Sequence, residues 1–204
     1  MNLAPRPPPW DRSRLGVVAG FYATLSVAAV LWHAVDQDSL DVWHTAPTPP
    51  QARALGALTG LALGAATVVA FRRLYPHMAW LQTLHREVRA LLGAPSRAEV
   101  LVLAACSAIG EELFFRGAMM DAWGVLPATV IFALLHVPPR RSLWPWTASA
   151  FVMGLCFALL ALWSGSLAGP VLAHFVVNWR NLGYIASTAP PAAPSDAAPA
   201  PTDA

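Results

Sequence analysis

Apolar stretches of near-bilayer length, separated by short polar connections, recur along the chain. Residues 15–35, 54–71, 99–120, 123–137, 146–163 and 167–186 each approach the roughly 20 apolar residues that cross a hydrocarbon core. They predict an all-α, polytopic transmembrane helix bundle of about six spans. The fourth span is the shortest and ends in HVPPRR, where prolines stop a helix and arginines mark an interface. Between the second and third spans, PHMAWLQTLHREVRALLG sets Leu81, Leu84, Val88 and Leu91 at helical spacing. Gln82, His85, Arg86 and Arg89 lie elsewhere on the wheel, which predicts one interfacial amphipathic helix. In span two, Gly56, Gly60 and Gly64 recur every fourth residue and would let another backbone approach closely, within the monomer in preference to a dimer. No internal repeat is visible. The expected organisation is a 1–14 N-terminal segment, a 15–186 membrane bundle and a disordered Ala/Pro-rich tail over 187–204.

Composition turns this pattern into a membrane assignment. Of 204 residues, 56% are hydrophobic and only 12% charged, too little polar surface to cover a soluble domain of this size. Arginine then orients the bundle, because short Arg-bearing loops stay cytoplasmic. Arg6, Arg12, Arg14, the arginines between spans two and three, Arg140, Arg141 and Arg180 fall on one side. Asp36, Asp38, Asp41 and Asp121 fall on the other, with Arg53 alone among them. Both termini are therefore expected in the cytoplasm, with the chain in a bacterial inner membrane and its first span retained, since no small-residue cleavage site closes it. A net charge of +2 carried on scattered arginines sets nucleic acid aside as a partner. Cys106 and Cys156 sit inside apolar runs without metal spacing, so packing is expected of them in preference to a disulfide.

Against this background the polar residues inside the spans stand out, since ionisable groups in hydrocarbon are costly and face the bundle interior. EELFFRG, residues 111–117, places Glu112 and Arg116 four apart on one helical face, within reach of an ion pair. Glu111 is rotated about 100° away in a regular helix. It would point alone into a cavity, where a carboxylate can serve as a general base. A buried ion-pair network that only fixes helix register is the equal alternative. Phe132 and His136 in span four, and His174 and Asn178 in span six, are also pairs four apart. His174 with Asn178 could stabilise an oxyanion, or could simply hydrogen-bond between helices.

EELFFR, FALLH and HFVVN together resemble the ordered motifs EExxxR, FxxxH and HxxxN of the CPBP intramembrane proteases, the family of CAAX proteases and bacteriocin-processing (Abi) proteins. The resemblance covers residues 99–184. It implies a helical membrane bundle that cuts peptide bonds with a glutamate-activated water. Carried onto this sequence, it implies Glu111 as general base, His136 orienting the water, and His174 with Asn178 as the oxyanion site. Glu112 and Arg116 would be supporting residues, and Phe132 a packing neighbour of His136. No cofactor is implied. A zinc ion on Glu111, His136 and His174 is the alternative, since two histidines and a carboxylate match a catalytic ligand set although HExxH spacing is absent.

The implied substrate is a membrane-anchored or lipid-modified protein, cut near its C-terminal end. Counting about 1.5 Å per residue puts Glu111 roughly 20 Å from the inner start of its span and His174 roughly 10 Å from the outer start of its own. On that count the site opens toward the outer side, as a sorting-type member such as a myxosortase would require, and His136 fits poorly. Two other classes of function are compatible with buried charges: a non-catalytic membrane scaffold or immunity protein of the same family, and a small transporter, which would usually show repeated halves. Oligomeric state is not legible.

Overall fold

The computed structural model describes residues 12–190 apart from 94 and 139, with the side chains of residues 12 and 13 also set aside. Residues 1–11 of the expected N-terminal segment and nearly all of the expected tail lie outside the described residues. Every element among those described is helical: α1 (Arg12–Gln37), α2 (Pro50–Leu74), a 3-10 turn (Tyr75–His77), α3 (Ala79–Leu92), α4 (Arg97–Glu111), a π-helical segment (Glu112–Met119), α5 (Met120–Trp123), α6 (Val125–Leu134), a second 3-10 turn (Arg141–Leu143), α7 (Trp144–Ser164) and α8 (Ala168–Ser187). Three stretches, Arg14–Gln37, Pro50–His77 and Arg141–Ser164, are each long and apolar enough to cross a membrane.

α4, the π segment and α5 form the third expected span, and the chain then reverses at Gly124, whose φ of +87° is a conformation that favours glycine. The fourth expected span, residues 123–137, is shorter than its apolar run. α6 is ten residues long, about 15 Å, half of a hydrocarbon core of about 30 Å. Apolarity alone assigns Trp123 and Gly124 to this span, although Trp123 completes α5 before the turn. Because α6 starts just after this turn and stops short, His136 at its end sits part-way along the bundle, so the short helix accounts for its poor fit to the depth count.

The glycine stripe of α2 packs within the monomer. Methyl groups built on Gly56 and Gly60 would run into Ser164 and into the backbone of Gly169, and one on Gly64 would meet the carbonyl of Ala173 at 2.9 Å. α2 thus lies almost backbone to backbone on α8, the helix that carries His174. Gly60→Ala is expected to lower stability by about 1–3 kcal/mol, since a carbonyl, unlike a side-chain tip, cannot turn aside. Thermal unfolding of the detergent-solubilised protein checks this, and an unchanged midpoint would show that the two helices separate freely.

α3 docks across the arginine-bearing ends of α2 and α8. The wheel of this helix differs from expectation at two positions: His85 is fully buried, and Leu91 is 79% exposed. His85 lies inside the arc of Leu81, Leu84 and Leu92, and its ring is satisfied there, which allows burial. Nδ1 accepts from the Tyr75 hydroxyl at 2.6 Å, and Nε2–H is shared between the carbonyls of Ile185 and Thr188 at 3.2 Å each. Burial pushes the imidazole's pKa down, in keeping with this neutral form. Arg89 adds bonds of 2.8 and 2.7 Å to the carbonyls of Ile185 and Ala186. These donors satisfy the carbonyls that the end of α8 leaves unpaired.

Candidate active site

The site is assembled where α4 passes into the π segment and meets α8. α4 begins with a reciprocal capping box, in which Ser96 Oγ accepts from Glu99 N–H at 3.2 Å and Glu99 Oε2 accepts from Ser96 N–H at 2.6 Å. It carries regular helix as far as Glu111, and the wider π turns begin at Glu112. Such turns are frequent at functional positions.

Glu112 and Arg116 form the expected pair at 2.9 Å, with both side chains almost wholly inaccessible. Arg116 is also enclosed by rings. Its guanidinium carbon lies 4.1 Å from the centre of Phe132 and 5.5 Å from that of Phe157. Gly154 of α7 makes the space: a methyl there would approach Arg116 Nη2 at 3.0 Å. The same Glu112 Oε1 accepts a second bond of 2.7 Å, from His174 Nδ1–H. Glu112 is therefore more than the partner of Arg116, because it fixes the imidazole of α8 as well.

Glu111 is not alone, contrary to the helical-wheel expectation. Its Oε1 accepts from the hydroxyl of Tyr22 on α1 at 2.9 Å, and its Oε2 lies 3.8 Å from His174 Nε2, inside ion-pair range and beyond a hydrogen bond. The two adjacent carboxylates thus address opposite nitrogens of one ring. A regular 100° step does not describe them, because the helix changes character between them. Glu111 Oε2 is buried and has no hydrogen-bond partner among the described residues.

Tyr22 reaches Glu111 because Gly110 lets α1 close on α4. A methyl on Gly110 would stand 3.0 Å from Tyr22 Cδ1 and 3.1 Å from its carbonyl oxygen. Tyr22→Phe is expected to lower stability by about 1.5–3 kcal/mol through loss of a bond to a charged group. Gly110→Ala should give a loss of the same sign by pushing Tyr22 away. Matching melting curves for wild type and Tyr22→Phe would show that the hydroxyl contributes nothing to Glu111.

His136 and Asn178 stand on the wall of the adjoining cavity. His136 Nδ1–H donates to the Phe132 carbonyl at 2.7 Å, which leaves Nε2 as an acceptor, and its ring packs on Phe132 with centroids 4.5 Å apart. Asn178 Nδ2 donates to Ser107 Oγ at 3.0 Å and retains a second N–H. Ser107 is thus a support for Asn178 that no pattern in the sequence selects.

The cavity, of about 590 Å³, is lined at one end by Phe132, His136, His174 and Asn178 and at the other by Trp80, Leu81, Leu84 and Val88 of α3. It leads from the histidines toward the arginine-bearing end of the bundle, the reverse of the opening that depth counting suggests. Counting residues gives a depth but not the direction of free space, and here the amphipathic helix walls that space. Among the described residues no three His, Cys, Asp or Glu side chains form a group that could hold a metal ion. His136 and His174 each engage Nδ1, with a carbonyl and a carboxylate respectively, and each keeps Nε2 toward the site. Cys106 and Cys156 are free thiols in separate helices.

The stretch that carries the three motifs has a counterpart among known protein sequences. Residues 94–180 match the family model of type II CAAX prenyl endopeptidases, Rce1-like. Over that stretch the motif-bearing core is similar to this family. It is also similar to the uncharacterized protein YpbD of Bacillus subtilis (strain 168), with 34% identity over 85 residues, 39% of this chain. The match spans 41% of that relative's length. No solved structure matches the chain. The matched stretch contains Glu111, Glu112, Arg116, Phe132, His136, His174 and Asn178, whereas Tyr22 and the α3 wall of the cavity lie outside it. The apolar helices and this match support an integral membrane protein that is similar, over residues 94–180, to a family of endopeptidases.

Proposed function

We propose that this chain hydrolyses a peptide bond near the C-terminal end of a membrane-anchored or lipid-modified protein, with Glu111 as general base for the attacking water. The observation that carries this reading is the buried Glu111 Oε2, free of protein donors and facing an imidazole that Glu112 holds in place. Glu111 takes a proton from water, and the hydroxyl adds to the carbonyl carbon of the scissile bond. His136 Nε2 accepts from the same water and orients it. The developing oxyanion receives the free N–H of Asn178 and His174 Nε2–H, the ring lying between the carboxylates of Glu111 and Glu112. As the C–N bond breaks, the Glu111 carboxylic acid returns its proton to the leaving amine. Arg116 offsets the charge of Glu112, and Phe132 seats both Arg116 and His136.

The cavity supports an apolar substrate. Phe71, Leu74, Trp80, Leu84, Trp146 and Met153 form its sides, a surface suited to a lipid chain or to the apolar residues of an anchor. Arginine placement supports a bacterial inner-membrane location with both termini in the cytoplasm. The chemistry is read without a metal. The decisive comparison is between native cells with and without this chain, with C-terminal tails of membrane proteins inventoried by mass spectrometry. Uncut anchored tails that accumulate on deletion and disappear on complementation support the proposal. Identical inventories would overturn it in favour of a non-catalytic scaffold.

A further inference from the structure

A second cavity, of about 740 Å³, lies at the arginine-bearing end between the start of α4 and the end of α8, away from the histidines. Arg72, Arg97 and Arg180 line it, and no Asp or Glu does. Among the described residues neither Arg97 nor Arg180 pairs with a carboxylate. Glu99, two residues from Arg97, is turned back onto its own helix by the capping box. Arg72 is fixed: its guanidinium lies 3.6 Å over the Tyr184 ring and Nη2 donates to the Arg180 carbonyl at 2.8 Å. Its Nη1 is buried with no acceptor among the described residues. Three cations around one space, one with an unanswered donor, call for an anion.

The remaining walls say what kind. Val100, Leu101, Trp179 and Gly183 continue the groove along the bundle, and Leu101 and Trp179 are 43% and 40% exposed. A methyl built on Gly183 would come no nearer than 4.0 Å to Val100, so a slot remains between the two helices. A small soluble anion would leave this apolar slot unused, whereas a phospholipid fills both parts. Tryptophan is also the residue that sits at headgroup level, and basic pockets between helices suit anionic headgroups. The geometry points to a binding site for one anionic phospholipid, its phosphate held by Arg72, Arg97 and Arg180 and an acyl chain laid along Leu101 and Trp179. This site is independent of the catalytic reading.

The test uses the full chain in detergent with dioleoylphosphatidylglycerol or dioleoylphosphatidylcholine, followed by native mass spectrometry. Phosphatidylglycerol should remain bound to wild type, about thirty-fold more weakly to Arg97→Gln/Arg180→Gln, and nearly as well as wild type to Arg97→Lys/Arg180→Lys. Should the glutamine variant fail to fold, the wild type alone suffices: high salt should weaken its phosphatidylglycerol binding and leave phosphatidylcholine unaffected. Equal retention of the two lipids, or binding insensitive both to the glutamine substitutions and to salt, would overturn the site. So would inorganic phosphate that raises the melting midpoint as much as the lipid, since the ligand would then be a free anion.

Discussion

Glu112→Ala should cost the protein about 3–5 kcal/mol, the range for removing one member of a buried ion pair. Two groups lose their acceptor at once, because Glu112 Oε1 takes 2.9 and 2.7 Å bonds from Arg116 and His174. Arg116 cannot escape to water. It is 2% exposed, and the rings of Phe115, Phe132 and Phe157 lie around its guanidinium. Ring faces attract the cation but do not replace a carboxylate hydrogen bond. The melting midpoint in detergent should fall by about 10 °C. Glu112→Gln, which keeps an acceptor oxygen, should fall by less. Glu112→Ala/Arg116→Met should recover part of the loss, since the stranded charge is removed with its partner. A Glu112→Ala protein that melts like wild type would mean that the pair is not buried as described.

This pair is legible in the sequence because its information is local. Four residues apart on a helix is a distance, and two opposite charges in an apolar run have few other partners. Helix existence is legible for the same reason: each apolar run of 15–35, 54–71, 146–163 and 167–186 contains its own signal. What escapes depends on contacts between distant parts of the chain. Tyr22 lies 89 residues from Glu111, in a helix where one tyrosine among apolar residues attracts no notice. The one trace it leaves is Gly110, directly before the carboxylates, where a backbone approach needs room. The helical wheel sets His85 on the polar face because its acceptors, the carbonyls of Ile185 and Thr188, belong to the other end of the chain. The π segment has no composition signal, yet it decides that Glu111 and Glu112 meet the same imidazole. Apolarity overextends α6 because it does not say where a helix stops, while Gly124 and the proline pair after Val137 bound it.

Glu111→Gln separates chemistry from architecture and should lower proteolysis by about 10²–10⁴-fold while leaving the fold intact. Glutamine has the length of glutamate and can still accept from the Tyr22 hydroxyl, so the contact between α1 and α4 survives. What it cannot do is take a proton from water. The melting midpoint should therefore move far less than in Glu112→Ala, even though the two residues are adjacent. The assay is the appearance of cut tails in cells complemented with the variant, read beside its amount in the membrane. Wild-type processing by Glu111→Gln would move the base elsewhere, and the geometry names the successor. His174, with Nδ1–H held at 2.7 Å by Glu112, would present an unprotonated Nε2 in its neutral form, oriented as a carboxylate-backed histidine base. Glu112→Gln would then abolish processing, whereas with Glu111 as the base it should only weaken it, because Glu111 would still take the proton and Asn178 would still serve the oxyanion.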